Sequence, residues 1–168
     1  AKYGDGLGAS MLKARRLCEA GCGFVAVALQ GWDMHGNIKR SMDSRGPQVD
    51  RAVAAFVEDL YQRGLEKDIL LVISGEFGRT PRINKNAGRD HWGRLSTLAL
   101  AGGGLQTGNV IGQSSPKAEF PASDTVTTQD LMATVFHVLG IPAGTHFDDQ
   151  AGRPIPMLPA GNPIPGLI

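Results

Sequence analysis

Three short segments of the chain concentrate residues that can do chemistry. They are Gly31-Trp32-Asp33-Met34-His35-Gly36, Ser74-Gly75-Glu76-Phe77-Gly78-Arg79-Thr80-Pro81 and Gly88-Arg89-Asp90-His91-Trp92-Gly93. Together they supply Asp33, His35, Glu76, Asp90 and His91, a mixed set of carboxylates and imidazoles. Both groups donate lone pairs to divalent ions, and the mixture suits Zn²⁺ or Mn²⁺ before Ca²⁺, which wants more oxygens and fewer imidazoles. Arg79 and Arg89 lie in the same segments. A guanidinium is a planar fork of donors that matches a phosphate or sulfate ester. A divalent ion beside an arginine would stabilise charge on an anionic oxyester.

Plainer readings compete at each position. An Asp-x-His can simply orient a solvated imidazole in a turn, and Glu76 could pair with Arg79. Asp90 could ligate an ion or sit behind His91 and fix its tautomer. The coincidence of three glycine-flanked segments carries the metal reading, because glycines let the backbone turn tightly around a ligand. His137, between Phe136 and Val138, reads as an ordinary helix residue, and His146, near Asp148 and Asp149, as a solvated one. Gly102-Gly103-Gly104 has no following Gly-Lys-Ser/Thr, and Gly4-x-Gly6-x-Gly8 has no preceding strand, so both are turn glycines.

The elements that must position these segments are expected to alternate. Met11, Ala14, Arg15 and Cys18 share one face of a helix that stops at Gly21. Phe24–Leu29 is continuously apolar, as a parallel strand buried on both faces would be. Pro47 opens an amphipathic helix carrying Val49, Val53, Phe56, Val57 and Leu60, closed by Gly64. Ile69–Ile73 and Ser96–Ala101 read as further strands, and Thr128–Leu139 as a last helix with Leu131, Val135 and Leu139 inward and Gly140 as its stop. Helices alternating with strands predict an α/β fold with a mostly parallel sheet. In such sheets ligands bind beyond the carboxyl ends of the strands, where the three segments fall. The stretches 75–95 and 102–124 are long and irregular, and the Pro-rich tail 152–168 is expected to drape over the surface.

Composition narrows the field. The 168 residues suit one domain of ordinary size or a piece of a larger one, and 17 Lys+Arg against 16 Asp+Glu leave a net charge of +1. Nucleic acids and polybasic membrane contacts need a concentrated positive surface, so neither is expected as a partner. At 42% hydrophobic and 20% charged the chain can build a core. Gly and Pro number 23 and 10, which implies many loops. Cys18 and Cys22 cannot form a disulfide framework and read as small hydrophobes. No apolar run reaches the roughly 20 residues of a membrane span. Lys13, Arg15 and Arg16 ahead of Phe24–Leu29 superficially resemble a signal peptide, but Glu19 interrupts the pattern.

The same three segments resemble a bacterial sulfatase-like family of unknown function, similar in turn to the alkaline phosphatase, arylsulfatase and cofactor-independent phosphoglycerate mutase superfamily. Glu76-Phe77-Gly78-Arg79-Thr80-Pro81 is the most specific piece. The resemblance covers nearly the whole chain. It implies a three-layer α/β/α, alkaline phosphatase-like fold, incomplete here, with the chain as the C-terminal half of a longer protein whose nucleophile lies upstream of Ala1. It also implies export, and a small-molecule or carbohydrate ester as substrate. Asp33 and His35 resemble the family's first ligand group, Glu76 the acid of the second and His91 the late histidine, so one or two ions are implied, with Arg79 facing the transferring group. Phe77 stands where a paired histidine would be. The expectation is a metal-dependent hydrolase of phosphate or sulfate esters with little turnover from this chain alone. A binding module that kept the fold, or a phosphotransfer mutase, is the alternative.

Overall fold

The computed structural model describes residues 2–168. Its elements run α1 (Leu7–Glu19), α2 (Ile38–Arg63), β1 (Leu70–Ile73), β2 (Gly78–Arg79), β3 (His91–Trp92), β4 (Ala99–Gly102), β5 (Gln113–Ser114), β6 (Pro121–Ser123), α3 (Thr128–Val138), β7 (His146–Asp148) and β8 (Pro154–Pro156). The strands form four separate two-stranded antiparallel ribbons, β1 with β4, β2 with β3, β5 with β6 and β7 with β8. This corrects the expected three-layer α/β/α fold with a mostly parallel sheet. An apolar run such as Ile69–Ile73 shows that a strand is buried but carries nothing about the direction of its neighbour. Here Leu70 lies opposite Gly102 and Ile73 opposite Ala99, so the chain returns antiparallel.

The core lies between α1 and α2, where Met11, Ala52, Phe56, Leu60 and Ile69 cluster, with Tyr3, Leu7 and Cys18 packed around them. Buried Ala52, Ala55, Phe56, Asp59 and Leu60 follow the spacing of one helical face. Gly64, at φ 69°, ends α2 in the left-handed conformation that glycine adopts without strain. The start of α2 differs from expectation, because Pro47 lies inside the helix rather than at its first turn. What holds the extra turns is outside the helix. The backbone N–H groups of Asn37 and Ile38 donate to the carbonyls of Asn86 and Ala87 at 3.0 and 2.9 Å.

Two further expectations change. Phe24–Leu29 forms no strand, since no described strand pairs with it, and Phe24 is 79% exposed. The Pro-rich tail does more than drape. Ile164 and Leu167 are buried, the Ile164 N–H donates to Thr134 Oγ1 at 2.9 Å, and the Asn162 N–H donates to Asp130 Oδ1 at 3.0 Å. These contacts tie the tail to α3, whose start is fixed by a reciprocal cap between Thr127 and Asp130. Leu139, expected inward, is half exposed just past the end of α3. Exposed area totals 11,426 Å², against about 8,000 Å² for a folded monomer of this length. Much apolar surface therefore stays in water. Both cysteines are free, and among the described residues no helix is long and apolar enough to cross a membrane.

Candidate metal centre

β2 and β3 place Arg79 directly opposite His91, so the two side chains stand side by side on one face of the ribbon. The ladder continues one residue further, with the Thr80 N–H donating to the Asp90 carbonyl at 2.9 Å. The segment 33–38 runs alongside. Gly36 bridges Ala87, and the Arg89 N–H donates to the Met34 carbonyl at 3.1 Å. Gly88 is required at this crossing, because a Cβ there would run into the His35 carbonyl and the Gly36 nitrogen. Asn37 (φ 46°) and Ala87 (φ 56°) flank the crossing in the left-handed region. For a residue with a Cβ that conformation is uncommon and is tolerated where surrounding structure enforces it.

Asn84 locks the crossing. Its Nδ2 donates to the His35 carbonyl and to Asp90 Oδ1, both at 3.1 Å, while its Oδ1 accepts from the Asn86 and Gly88 N–H groups at 2.9 and 3.0 Å. Arg89 is likewise structural, its guanidinium donating to the Thr80 and Pro81 carbonyls at 2.5 and 2.7 Å. Sequence reasoning missed Asn84. Its signal was an asparagine four residues ahead of a glycine, where the side chain can bond its own loop backbone.

This frame brings Asp33, His35 and His91 together. Asp33 Oδ1 lies 2.9 Å from His91 Nε2 and 3.0 Å from His35 Nε2, and the two ring nitrogens are 3.2 Å apart. Behind His35, Asp90 Oδ1 sits 2.8 Å from Nδ1. A carboxylate only accepts, so the Nδ1 N–H of His35 donates to Asp90 and fixes the ring with Nε2 facing Asp33. Asp90 thus orients His35, not His91, and stands behind the group of three rather than in it. The Phe77 ring packs at a tilt against that of His91, with centroids 4.4 Å apart. Glu76 is exposed and lies outside the group. Arg79 Nη2 donates to Asp33 Oδ1 at 2.6 Å. His137 and His146 are exposed and apart from it.

The electrostatics favour anionic carboxylates. The hydrogen bond from His91, then that from Arg79, hold the Asp33 carboxyl down at about 2. Asp90 is held below the usual carboxylate range by His35 and then Asn84. Three donor atoms with edges near 3 Å match one face of a tetrahedral site. Around Zn²⁺ with ligands at roughly 2.0–2.1 Å, such edges are about 3.3 Å, so a slight opening admits the ion. The face is solvent-exposed, which leaves the remaining positions open.

Replacing Asp90 with Ala frees the His35 ring to rotate and removes the fixed tautomer. Zn²⁺ affinity measured by competition with a chromophoric chelator is expected to fall about 10–100-fold, as for other outer partners of ligating histidines.

No sulfatase or alkaline phosphatase family matches the chain, which overturns the resemblance drawn from the three segments. Tight glycine-flanked Asp, His and Arg segments are what many oxyanion or metal sites need, and they do not identify one lineage. No curated protein and no solved structure matches either. Residues 1–168 match the family described as "Protein of unknown function (DUF1501)", and the chain belongs to that family.

Proposed function

We propose that the chain binds one divalent ion, Zn²⁺ or Mn²⁺, on Asp33, His35 and His91 and uses it to hydrolyse phosphate or sulfate esters of small molecules or carbohydrates. One observation carries the reading: three potential ligand atoms, Asp33 Oδ1, His35 Nε2 and His91 Nε2, lie 2.9, 3.0 and 3.2 Å from one another on an exposed face. A bound ion would polarise the ester oxygen and lower the pKa of attacking water. Asp33, with its oxygen committed to the ion, serves as a ligand rather than a base. Arg79 supplies positive charge where the oxyester would develop negative charge.

The test is hydrolysis of nitrophenyl phosphate and nitrophenyl sulfate by chelator-treated protein before and after adding Zn²⁺ or Mn²⁺. A low rate that rises with the ion and disappears in His91→Ala is expected. Protein that binds the ion yet stays inert on both esters overturns the hydrolase reading and leaves a metal-binding module.

A further inference from the structure

Asp33 Oδ1 is oversubscribed. It meets Arg79 Nη2 at 2.6 Å, His91 Nε2 at 2.9 Å and His35 Nε2 at 3.0 Å. A carboxylate oxygen has about two lone-pair sites, so it cannot keep a guanidinium and an imidazole N–H while also ligating a cation. Arg79 is half-buried and has other anchors, with Nη1 donating to the Arg89 carbonyl at 3.1 Å and Nη2 lying 3.4 Å from the Trp32 carbonyl. It can therefore pivot off Oδ1 without leaving the site. Charge runs the same way. With neutral imidazoles, Asp33, Asp90 and Arg79 carry a net −1 that becomes +1 once a divalent ion enters. The loaded site then holds a cation and a guanidinium whose nearest anion has been taken, and a doubly charged oxyanion would restore the original balance.

Building on the metal site proposed above, we infer that Arg79 is the counter-ion of the ion-free centre and the anion receptor of the loaded one. The cation and a tetrahedral oxyanion therefore bind cooperatively. Each draws the guanidinium off Asp33, and by linkage each tightens the other by the same factor.

Calorimetric titration of the chain with Zn²⁺, in 10 mM sulfate and in chloride of matched ionic strength, reads this directly. Sulfate is expected to tighten Zn²⁺ binding at least about 5-fold in the wild type. In Arg79→Gln, Zn²⁺ binding in chloride is expected to be equal or tighter, because a competitor for Oδ1 is gone, and the sulfate effect to fall below about 2-fold. Arg79→Lys, which keeps a positive charge, should retain part of the effect, and thermal melts verify that each variant is folded. Zn²⁺ binding indifferent to sulfate in the wild type, or an undiminished sulfate effect in folded Arg79→Gln, overturns the coupling while leaving the metal site standing. Failure of the wild type to bind Zn²⁺ in either buffer overturns both.

Discussion

His91→Ala is expected to weaken Zn²⁺ binding by more than about 100-fold, beyond the range for loss of an outer partner such as Asp90. His91 reaches Asp33 from strand β3 of the β2–β3 ribbon, 58 positions further along the chain. Its removal leaves only the Asp33-x-His35 pair, and two ligands on an exposed surface cannot compete with water for a divalent ion. Asp33→Ala should be as damaging, since its oxygen is the point at which the other groups converge. Neither change should lower the melting temperature by much. Both side chains are about half or more exposed and hold no core contact. Competition with a chromophoric chelator measures the affinity, and thermal melts establish that folding persists. Affinity falling together with stability would instead mark these residues as scaffold.

The second large effect is on stability. Asp59, buried on α2, accepts a hydrogen bond from Tyr3 at 2.8 Å and from Arg63 at 3.1 Å, and ion-pairs with Arg15, itself 3% exposed, at 2.8 Å. Glu19 also pairs with Arg15. Asp59→Ala leaves a buried guanidinium with one anionic partner, and a loss of about 3–5 kcal/mol is expected. That corresponds to roughly 6–20 °C in melting temperature for a chain of this size. Asp59 lies about 30 Å along the helix from the end of α2 that adjoins the proposed metal site, so the folded fraction should keep its Zn²⁺ affinity.

The pH dependence follows from the same cluster. Burial opposes ionisation of Asp59, but the bonds from Tyr3 and Arg63 and the charge of Arg15 prevail and hold its carboxyl below the usual range. Its contribution is therefore present above the ordinary carboxylate pKa of about 4 and is lost as pH falls through the lower, folded-state value. Tyr3 is pushed up to about 12, first by burial and then by its bond to Asp59. A raised value means the folded state holds the proton more tightly, so the stabilisation is intact below about pH 10 and fades toward 12. Chemical unfolding at a series of pH values checks both limbs, and Asp59→Asn should flatten the acid one.

The helices were legible except for the turns of α2 before Pro47, because their signals are local. Met11 and Arg15 share a buried face, Gly21 and Gly64 stop α1 and α2, and the spacing from Ala52 to Leu60 marks the packed side. Strand partners were not legible, since an apolar run records burial and nothing about which chain lies beside it. Phe24–Leu29 shows the limit, an apolar run left without a described partner. At the site, residue type pointed to Asp33, His35, Glu76, Asp90 and His91, of which the structure groups Asp33, His35 and His91, and glycine marked the close crossing at Gly88. The division of labour was beyond sequence. Nothing in Asp90-His91 says that the histidine joins the group while the aspartate reaches back to His35, because that depends on alternation of side chains across a two-residue strand. The reach of Asn84 to the His35 carbonyl and the left-handed Ala87 were not legible, being set by a crossing between segments about 50 residues apart.

Anomalous diffraction at the zinc edge, from crystals of the chain grown with equimolar Zn²⁺, tests most directly whether these side chains hold an ion. A single strong peak is expected about 2.0–2.2 Å from Asp33 Oδ1, His35 Nε2 and His91 Nε2, with Arg79 turned away from the carboxylate. Zinc found elsewhere, with the Arg79–Asp33 pair intact and the two imidazoles still facing an empty space, would contradict it.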